Sequence, residues 1–264
     1  MLAINQIYHL DCHAFLTQLD RQSIDLAIID PPYNLKVADW DTFSDHDHFL
    51  TFTFAWIDNL LPLLKDTASL YLFNTPFNCA YILQYLVTKG LVYQNWITWD
   101  KRDGFAANKK RYNTGQESIL FFSKSKNYTF NSDDIRLPYE SIDRIKHAMT
   151  HGILKNGKRW FPNPNGKLCA DVWHISSERH KHKKNGKTIK MAHITPKPLE
   201  MIERMVLASS NIGDLVLDCF AGSGTTAVAA KKWGRNFVSA DHNPDYVAHA
   251  IQRLEQIEQY AEHI

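Results

Sequence analysis

The sequence predicts an α/β fold built on a doubly wound, mostly parallel sheet. Six short apolar runs end abruptly in polar residues, glycine or proline, as buried strands do: 24–29, 69–73, 92–99, 117–122, 214–218 and 235–240. Helical patterns alternate with these runs, at 76–88, 197–209, 224–233 and 244–260. Because ligands of such folds bind at the carboxyl ends of the strands, functional residues are expected there.

Residues 124–190 interrupt this alternation. They are rich in Lys, Arg, His, Asn and Gly, and their aromatic residues follow no clear period. A chain of 264 residues fits one core with an embedded insertion. We therefore expect 1–123 and 191–264 to form the two halves of one core, and 124–190 to form an inserted lobe.

Two further segments receive a structural interpretation. Trp160, Phe161 and Trp173 are expected to form the core of the lobe rather than a surface for stacking bases. The acidic segment 37–49, which contains several aromatic residues, is interpreted as a mobile loop.

Composition excludes several classes of protein. The 30 basic and 28 acidic side chains give a formal charge of +2, too small to indicate a nucleic-acid partner by itself. No apolar run is long enough to span a bilayer, and the first residues do not form a signal peptide, so we expect a cytoplasmic protein without a membrane partner. The four cysteines form no C-x-x-C pair, and His174, His180, His182 and His193 lack partners at ligand spacing, so no metal site is expected.

The first motif is Asp30-Pro31-Pro32-Tyr33, directly after the strand predicted at 24–29. The two prolines restrict the backbone, and Pro31 keeps a carbonyl that the rigid turn can aim beside the Asp30 carboxylate. An amino group on an aromatic base is a poor nucleophile because its lone pair is delocalised. Two acceptors, the Asp30 carboxylate and the Pro31 carbonyl, would orient that nitrogen, and Tyr33 would stack on the base.

Such a base must leave the duplex to reach the motif, at a cost of roughly a few kcal/mol. Asp-Pro followed by an aromatic residue is also a common start of a loop, so the tetrapeptide alone leaves a structural role open.

The second motif runs from Asp218 to Asn243 and has the order strand, glycine turn, helix, strand. Gly222 and Gly224 allow a close approach to a ligand, the helix start near Thr225 offers free N–H groups, and Asp241 can hold ribose hydroxyls. The third glycine of the dinucleotide fingerprint and the Gly-Lys pair of a P-loop are both missing. A nucleoside without a pyrophosphate, such as S-adenosylmethionine, fits this pattern, with a purely structural turn as the alternative.

The motifs DPPY and DCFAGSGTT resemble the two signatures of amino-group DNA methyltransferases, and their order resembles the beta class of that family. HITPKPLEMIERMV at 193–206 and HLDC at 9–12 look like its methionine-pocket helix and its adenine-contacting element. Several further segments look similar to adenine methyltransferases of restriction-modification systems, which implies the target GAAGA. The resemblance implies a Rossmann-like methyltransferase fold, S-adenosylmethionine as cofactor, double-stranded DNA as substrate, pairing as a homodimer, and a partner restriction endonuclease.

The resemblance also assigns roles to residues. It makes 1–123 the catalytic half and 191–264 the cofactor half of the core, with Asp30, Pro31, Pro32 and Tyr33 as the catalytic residues. Thr195 and Lys197 would face the cofactor carboxylate, and Asp11 and Cys12 its adenine. The cofactor site is completed by Asp218, Phe220, Gly222, Ser223, Gly224, Thr225, Asp241 and Asn243.

Basic residues within and before the inserted lobe are the candidates for DNA contact. The lobe would recognise the target, with lysines on phosphates and other side chains on base edges. A charge run can equally be a solvated face. The predicted DNA-binding residues are Lys109, Lys110, Arg111, Arg179, Lys181, Lys183 and Lys184.

Three other functions remain open from the sequence. Asp at position 30 favours adenine-N6 over cytosine-N4 methylation, although this residue by itself does not identify the methylated base. Enzymes that methylate glutamine amides carry Asn-Pro-Pro-Tyr, so Asp30 counts against them. A catalytically silent DNA-binding specificity subunit is the alternative from a different class, and the intact motifs count against it.

Overall fold

The computed structural model describes residues 2–101, 109–177, 181–184, 187–190 and 196–261, with side chains left out at 181–184, 187–190 and 257–261. These ranges contain strands and helices that alternate along most of the chain. The strands are β1 (Gln6–His9), β2 (Ile24–Ile29), β3 (Leu64–Asn74), β4 (Val92–Asp100), β5 (Gln116–Ser123), β6 (Ile153–Lys155), β7 (Lys158–Trp160), β8 (Val172–His174), β9 (Lys181–Lys184), β10 (Lys187–Lys190), β11 (Leu215–Asp218) and β12 (Asn236–Asp241). The helices are α1 (Cys12–Leu16), α2 (His46–Leu60), α3 (Pro76–Thr88), α4 (Ile142–His151), α5 (Leu199–Ser209), α6 (Thr225–Lys232) and α7 (Pro244–Ala261).

The main sheet has eight strands in the order β1-β12-β11-β2-β3-β5-β4-β8. Neighbouring strands are parallel except where β5 pairs with β3 and β4. The prediction of a doubly wound, mostly parallel sheet is therefore confirmed. All six predicted strands and all four predicted helices are present. The pattern missed β1, α1 and α2, and within residues 124–190 it missed α4 and the strands β6 to β10.

Helices cover both faces of this sheet, which explains why the central strands carry buried apolar side chains on both faces. On β2, Leu26 and Ile28 belong to a core cluster with side chains of α5, α6 and α7. Ile24, Ala27 and Ile29 belong to a second cluster with side chains of α1, α2 and α3. The two buried faces fix the register of the strand, and with it the position of Asp30 just after the last buried residue.

The interpretation of 37–49 as a loop is wrong for its last part, since α2 begins at His46. The Asp45 side chain caps the helix by accepting the His48 N–H at 2.8 Å. Phe49, Trp56 and Ile57 are buried at helical spacing. Two acidic residues of this segment have structural roles: Asp45 caps α2, and the buried Asp41 accepts backbone N–H groups of the turn at 33–35.

Residues 124–190 contribute to both the main sheet and an exposed surface. Trp173, 6% exposed, lies in β8 and belongs to a main core cluster. Trp160 and Phe161 are 51% and 52% exposed, so the interpretation of these two as lobe core is wrong. They lie on and just after the antiparallel hairpin of β6 and β7, which covers no core of its own. The division of the chain at 124 and 190 stays a prediction.

Two expected absences concern only part of the chain. Within the ranges given above, no helix is long and apolar enough to cross a membrane. The same ranges contain no group of three or more His, Cys, Asp or Glu side chains that could hold a metal ion.

Candidate active site

A cavity of about 490 Å³ opens at the carboxyl ends of β2, β11 and β12. These three strands are neighbours and run parallel, so the acidic residues at their ends, Asp30, Asp218 and Asp241, reach the same edge of the sheet. The two sequence motifs, nearly 190 residues apart, therefore share one cavity. The predicted site residues that line it are Asp11, Cys12, Asp30, Pro31, Pro32, Tyr33, Lys197, Asp218, Phe220, Gly222, Ser223, Thr225 and Asp241.

The turn that carries Asp30 and Tyr33 is held by buried polar side chains. Asp41 accepts the backbone N–H of Tyr33 at 2.6 Å and that of Asn34 at 2.8 Å with one oxygen. Its second oxygen accepts the N–H of Leu35 at 2.8 Å. Asn78 donates to the Tyr33 carbonyl at 2.8 Å. Since a carboxylate binding several N–H groups fixes a turn, the motif is rigid at its backbone.

The Asp30 carboxylate holds two donors. Tyr33 Oη donates to Oδ1 at 2.7 Å, and Lys197 Nζ donates to Oδ2 at 2.6 Å. The Lys197 side chain is 8% exposed and lies over the rings of Tyr33 and Phe73. The resemblance placed Lys197 against the cofactor carboxylate, whereas here its ammonium pairs with the carboxylate of the first motif.

Glu117 is a second carboxylate at this place, and it belongs to neither of the two sequence motifs. Its Oε2 accepts from Tyr33 Oη at 3.2 Å and lies 3.5 Å from Lys197 Nζ. Its Oε1 forms an ion pair with Lys101 at the end of β4. Because β5 is antiparallel to β3, the start of β5 lies at the same edge as the ends of the parallel strands. The sequence carried no signal for that reversal, and Glu117 was interpreted only as the first residue of a strand.

These contacts set the charges of the site. Burial raises the pKa of Asp30, and the negative charge of Glu117 adds to this, while Lys197 opposes it. Burial also tends to raise the pKa of Glu117, but Lys197 and Lys101 outweigh it and leave the pKa below its usual value. Burial lowers the pKa of Lys197, but Asp30 and Glu117 outweigh it and leave the pKa raised. Lys197 is therefore charged at neutral pH.

The glycine turn after β11 is tied to the acidic residues beside it. Asp241 accepts the N–H of Gly222 at 2.8 Å and that of Asn243 at 2.9 Å. Asp218 accepts the N–H of Phe220 at 3.0 Å, and burial raises its pKa to about 7. A positively charged ligand in the cavity would favour the ionised form of this carboxyl.

Two predicted cofactor residues, Gly224 and Asn243, are described and do not line the cavity. Gly224 has a φ of +75°, and a Cβ there would lie 2.7 Å from Ala250 Cβ, so this glycine allows α6 to pack against α7. The Asn243 side chain accepts the N–H of Asp245 at 2.9 Å and starts α7. Thr195 lies outside the described residues.

The N-terminal element reaches the cavity, while its contact with the adenine of the cofactor stays a prediction. Asp11 caps α1 by accepting the N–H of His13 at 2.9 Å, and it lines the cavity together with Cys12. Burial raises the pKa of the Cys12 thiol to about 12, so it is not a thiolate at neutral pH. Aromatic side chains that neither motif assigns to the site also line the cavity, namely Trp40, Phe43, Phe52, Phe73 and Tyr246.

Of the predicted DNA-binding residues, the side chains of Lys109, Lys110 and Arg111 are described, and they do not line the cavity. Lys109, Lys110 and Arg111 are exposed, just before β5. Lys181, Lys183 and Lys184 form the backbone of β9, which pairs with β10 in a separate hairpin. Arg179 lies outside the described residues. The contact of these groups with DNA stays a prediction.

Comparison with known proteins identifies DNA methyltransferases among the similar chains. The Type II methyltransferase M1.MboII of Moraxella bovis is 64% identical over 98% of this chain and 99% of that protein. The DNA adenine methyltransferase YhdJ of Escherichia coli K12 is 32% identical over 97% of this chain and 84% of that protein. A crystal structure of an M1.HpyAVI-SAM complex superposes with a TM-score of 0.60 at 25% identity, covering 94% of this chain and 99% of that one.

A family model also covers most of the chain. It is N6_N4_Mtase, described as DNA methylase, and it matches residues 24–252. The match includes both motifs and every strand of the main sheet except β1. The chain therefore belongs to the N6/N4 DNA methylase family.

Proposed function

We propose that this protein is a site-specific DNA methyltransferase that transfers a methyl group from S-adenosylmethionine to N6 of a flipped-out adenine. The observation that carries the proposal is that Asp30 and Tyr33 open into the same cavity as the glycine turn and Asp241. A target amino group bound at the first motif and a methyl donor bound at the second motif would therefore lie in the same cavity.

The residues of the cavity fit the cofactor by their chemistry. The Asp241 carboxylate can accept ribose hydroxyls, and the aromatic and apolar walls suit an adenine ring. Asp218 and Asp11 add negative charge beside a ligand whose sulfonium is positive. When bound, the cofactor supplies an electrophilic methyl group.

The chain's own part in the reaction is to orient the amino group and to take its proton. The Asp30 carboxylate and the Pro31 carbonyl would each accept one N–H, which directs the nitrogen lone pair toward the methyl group. After transfer the cationic amine loses a proton, and Asp30, whose pKa is raised by burial, is a suitable acceptor. No covalent enzyme intermediate is needed, in keeping with the protonated thiols of Cys12 and Cys79.

Adenine is the proposed base for two reasons. The first motif begins with Asp. YhdJ, whose alignment covers 97% of this chain at 32% identity, is named a DNA adenine methyltransferase. Cytosine-N4 methylation uses the same acceptor chemistry and is the second candidate within this family. A catalytically silent specificity subunit is disfavoured because both motifs are intact and meet in one cavity.

DNA recognition is proposed for residues 124–190, and the exposed part of this range gives physical support. Residues 142–160, which comprise α4 and the β6–β7 hairpin and are called the recognition unit below, carry five Lys or Arg and one Asp. The unit also exposes Leu154 and Trp160, with Phe161 directly after it. Positive charge suits phosphates, and exposed aromatic or apolar side chains suit base edges.

The biological setting is proposed from the resemblance. It implies protection of GAAGA sites in a restriction-modification system, with a cognate endonuclease, a homodimeric assembly and a cytoplasmic location. The identity of 64% with M1.MboII supports the restriction-modification setting.

The proposal is tested with methyl-labelled S-adenosylmethionine and duplex DNA that contains GAAGA, followed by digestion to nucleosides. Label in N6-methyladenosine is the expected result. A matched duplex in which the target adenines are replaced should take up no label. Label in a cytosine derivative would retain the mechanism and overturn the base, and no label on any duplex despite cofactor binding would overturn the assignment to DNA.

A further inference from the structure

Glu117 contacts both of the groups that occupy Asp30. Tyr33 Oη lies 2.7 Å from Asp30 and 3.2 Å from Glu117 Oε2, and Lys197 Nζ lies 2.6 Å from Asp30 and 3.5 Å from the same Oε2. The two donors therefore already face a second carboxylate oxygen. Glu117 itself is held from its other oxygen by Lys101.

This arrangement matters because the proposed reaction needs the acceptor capacity of Asp30. Both carboxylate oxygens of Asp30 hold a donor here, and one of these donors is a charged ammonium that is 8% exposed. An ammonium buried to this degree cannot lose its partner without a large penalty. A target amino group can displace Lys197 from Asp30 only if the ammonium has another carboxylate within reach.

Glu117 is the described side chain that meets this need. Lys197 Nζ at 3.5 Å is just beyond the usual hydrogen-bond distance, so a short movement brings it into full contact with Oε2. The Tyr33 hydroxyl is already within hydrogen-bond distance of the same atom. No proton has to move, since Lys197 remains an ammonium and Tyr33 a neutral phenol throughout.

We propose that Glu117 is a positioning residue, the alternative acceptor that receives Lys197 and Tyr33 so that Asp30 can bind the target amino group. The inference rests on the proposed methyl transfer. It assigns Glu117 no contact with the substrate and no place in the transfer of the methyl group itself.

The test compares the wild-type protein with Glu117→Gln in single-turnover methylation at saturating cofactor and DNA. Without the negative charge Lys197 stays on Asp30, and the plateau rate should fall roughly 10- to 100-fold, as for a mispositioned reacting group. Cofactor affinity should not change, because Asp241 and the glycine turn are untouched. Glu117→Asp, which keeps the charge on a shorter side chain, should recover part of the rate.

Asp25→Asn is the matched control. The Asp25 side chain is 13% exposed, against 16% for Glu117, and it also loses an ion pair, with Lys65 at 2.8 Å, but it lies near the start of β2, outside the cavity lining. This variant should keep the wild-type rate. Thermal melting and cofactor binding check that each variant is folded.

The pH dependence separates positioning from a merely structural effect. The charged or titratable groups around Asp30 are Tyr33, Lys197, Glu117, Lys101 behind Glu117, and Asp218 at the neighbouring strand end. Removing the charge of Glu117 takes away one cause that raises the pKa of Asp30, so the acid limb of the single-turnover rate should move to lower pH. The inference would be overturned if Glu117→Gln methylated at the wild-type rate. It would also be overturned if the plateau rate fell while the acid limb of the pH profile stayed at the wild-type position. Failure of the wild-type protein to methylate DNA would instead overturn the proposed function.

Discussion

The active-site edge of the sheet and the recognition unit differ in how their side chains are held. Asp30, Lys197 and Glu117 lie within a network of short polar contacts and are largely buried. In residues 142–160, by contrast, Ala148 is the one buried side chain, and the basic residues face outward. The proposed methyl transfer needs groups that are fixed before the substrate binds, whereas the surface proposed to contact DNA has to be accessible until DNA covers it.

The largest expected effect is a loss of methylation when Asp30, in the buried network of the active site, is replaced. Replacing Asp30 with Ala removes an acceptor for the amino group and for its proton, so single-turnover methylation should fall by roughly two to four orders of magnitude. Lys197 keeps Glu117 as a partner, so folding and cofactor binding should survive. Quench-flow measurement with labelled cofactor checks the rate, and a variant that methylates at the wild-type rate would remove Asp30 from the mechanism.

The second effect concerns the cofactor half of the cavity. Asp241→Asn weakens the acceptors proposed for the ribose and the contact with the Gly222 N–H, so cofactor affinity should fall about 10- to 100-fold. Isothermal titration with S-adenosylmethionine measures it. Asp214→Asn is the control, because Asp214 also accepts a backbone N–H, from Asn211 at 2.7 Å, but lies outside the cavity lining. Equal losses in the two variants would contradict the ribose role.

A third and smaller effect is expected in the exposed region. Neutralising Arg144, Lys155 and Lys158 with Gln should leave cofactor binding and melting unchanged and lower the slope of log affinity for DNA against log salt by about 2 to 3. The control replaces Arg21, Lys89 and Lys232, which are exposed on other elements. An unchanged slope in the recognition-unit variant would show that its charges are a solvated face.

The smallest effect is a change of stability with pH at Asp218. Its pKa is about 7 in the folded protein, against an ordinary value of 3.8. Between these two values the folded state binds more protons at this carboxyl than the unfolded state, so its contribution makes stability fall as pH rises toward 7. Asp218→Asn removes that contribution. Its melting temperature should exceed that of the wild type most clearly above pH 7, and the advantage should shrink as pH falls toward 4.

Local pattern was sufficient for the elements whose residues are buried on a regular period. The bounds of β2 and α3 agree with the predicted 24–29 and 76–88, since β2 is buried along nearly its whole length and α3 buries Cys79, Ile82 and Leu86 at helical spacing. α2 was missed because the Asp and His residues at 45–48 have low helix propensity. The cap at Asp45 and the buried face of Phe49, Trp56 and Ile57 stabilise this helix. The prediction that Trp160 and Phe161 are buried was wrong because hydrophobicity alone does not distinguish a core side chain from an exposed one.

The sequence by itself determined the fold class, the two motifs and the residues that end the strands, because backbone restriction by proline and glycine and the burial of apolar runs are local properties. Tertiary structure decided which of these residues meet. Only the antiparallel course of β5 brings Glu117 to Asp30, and only the packing of the segment before α5 places Lys197 between the two carboxylates. The pKa shifts of these side chains depend on contacts between residues far apart in the chain, so they cannot be predicted from a local sequence pattern.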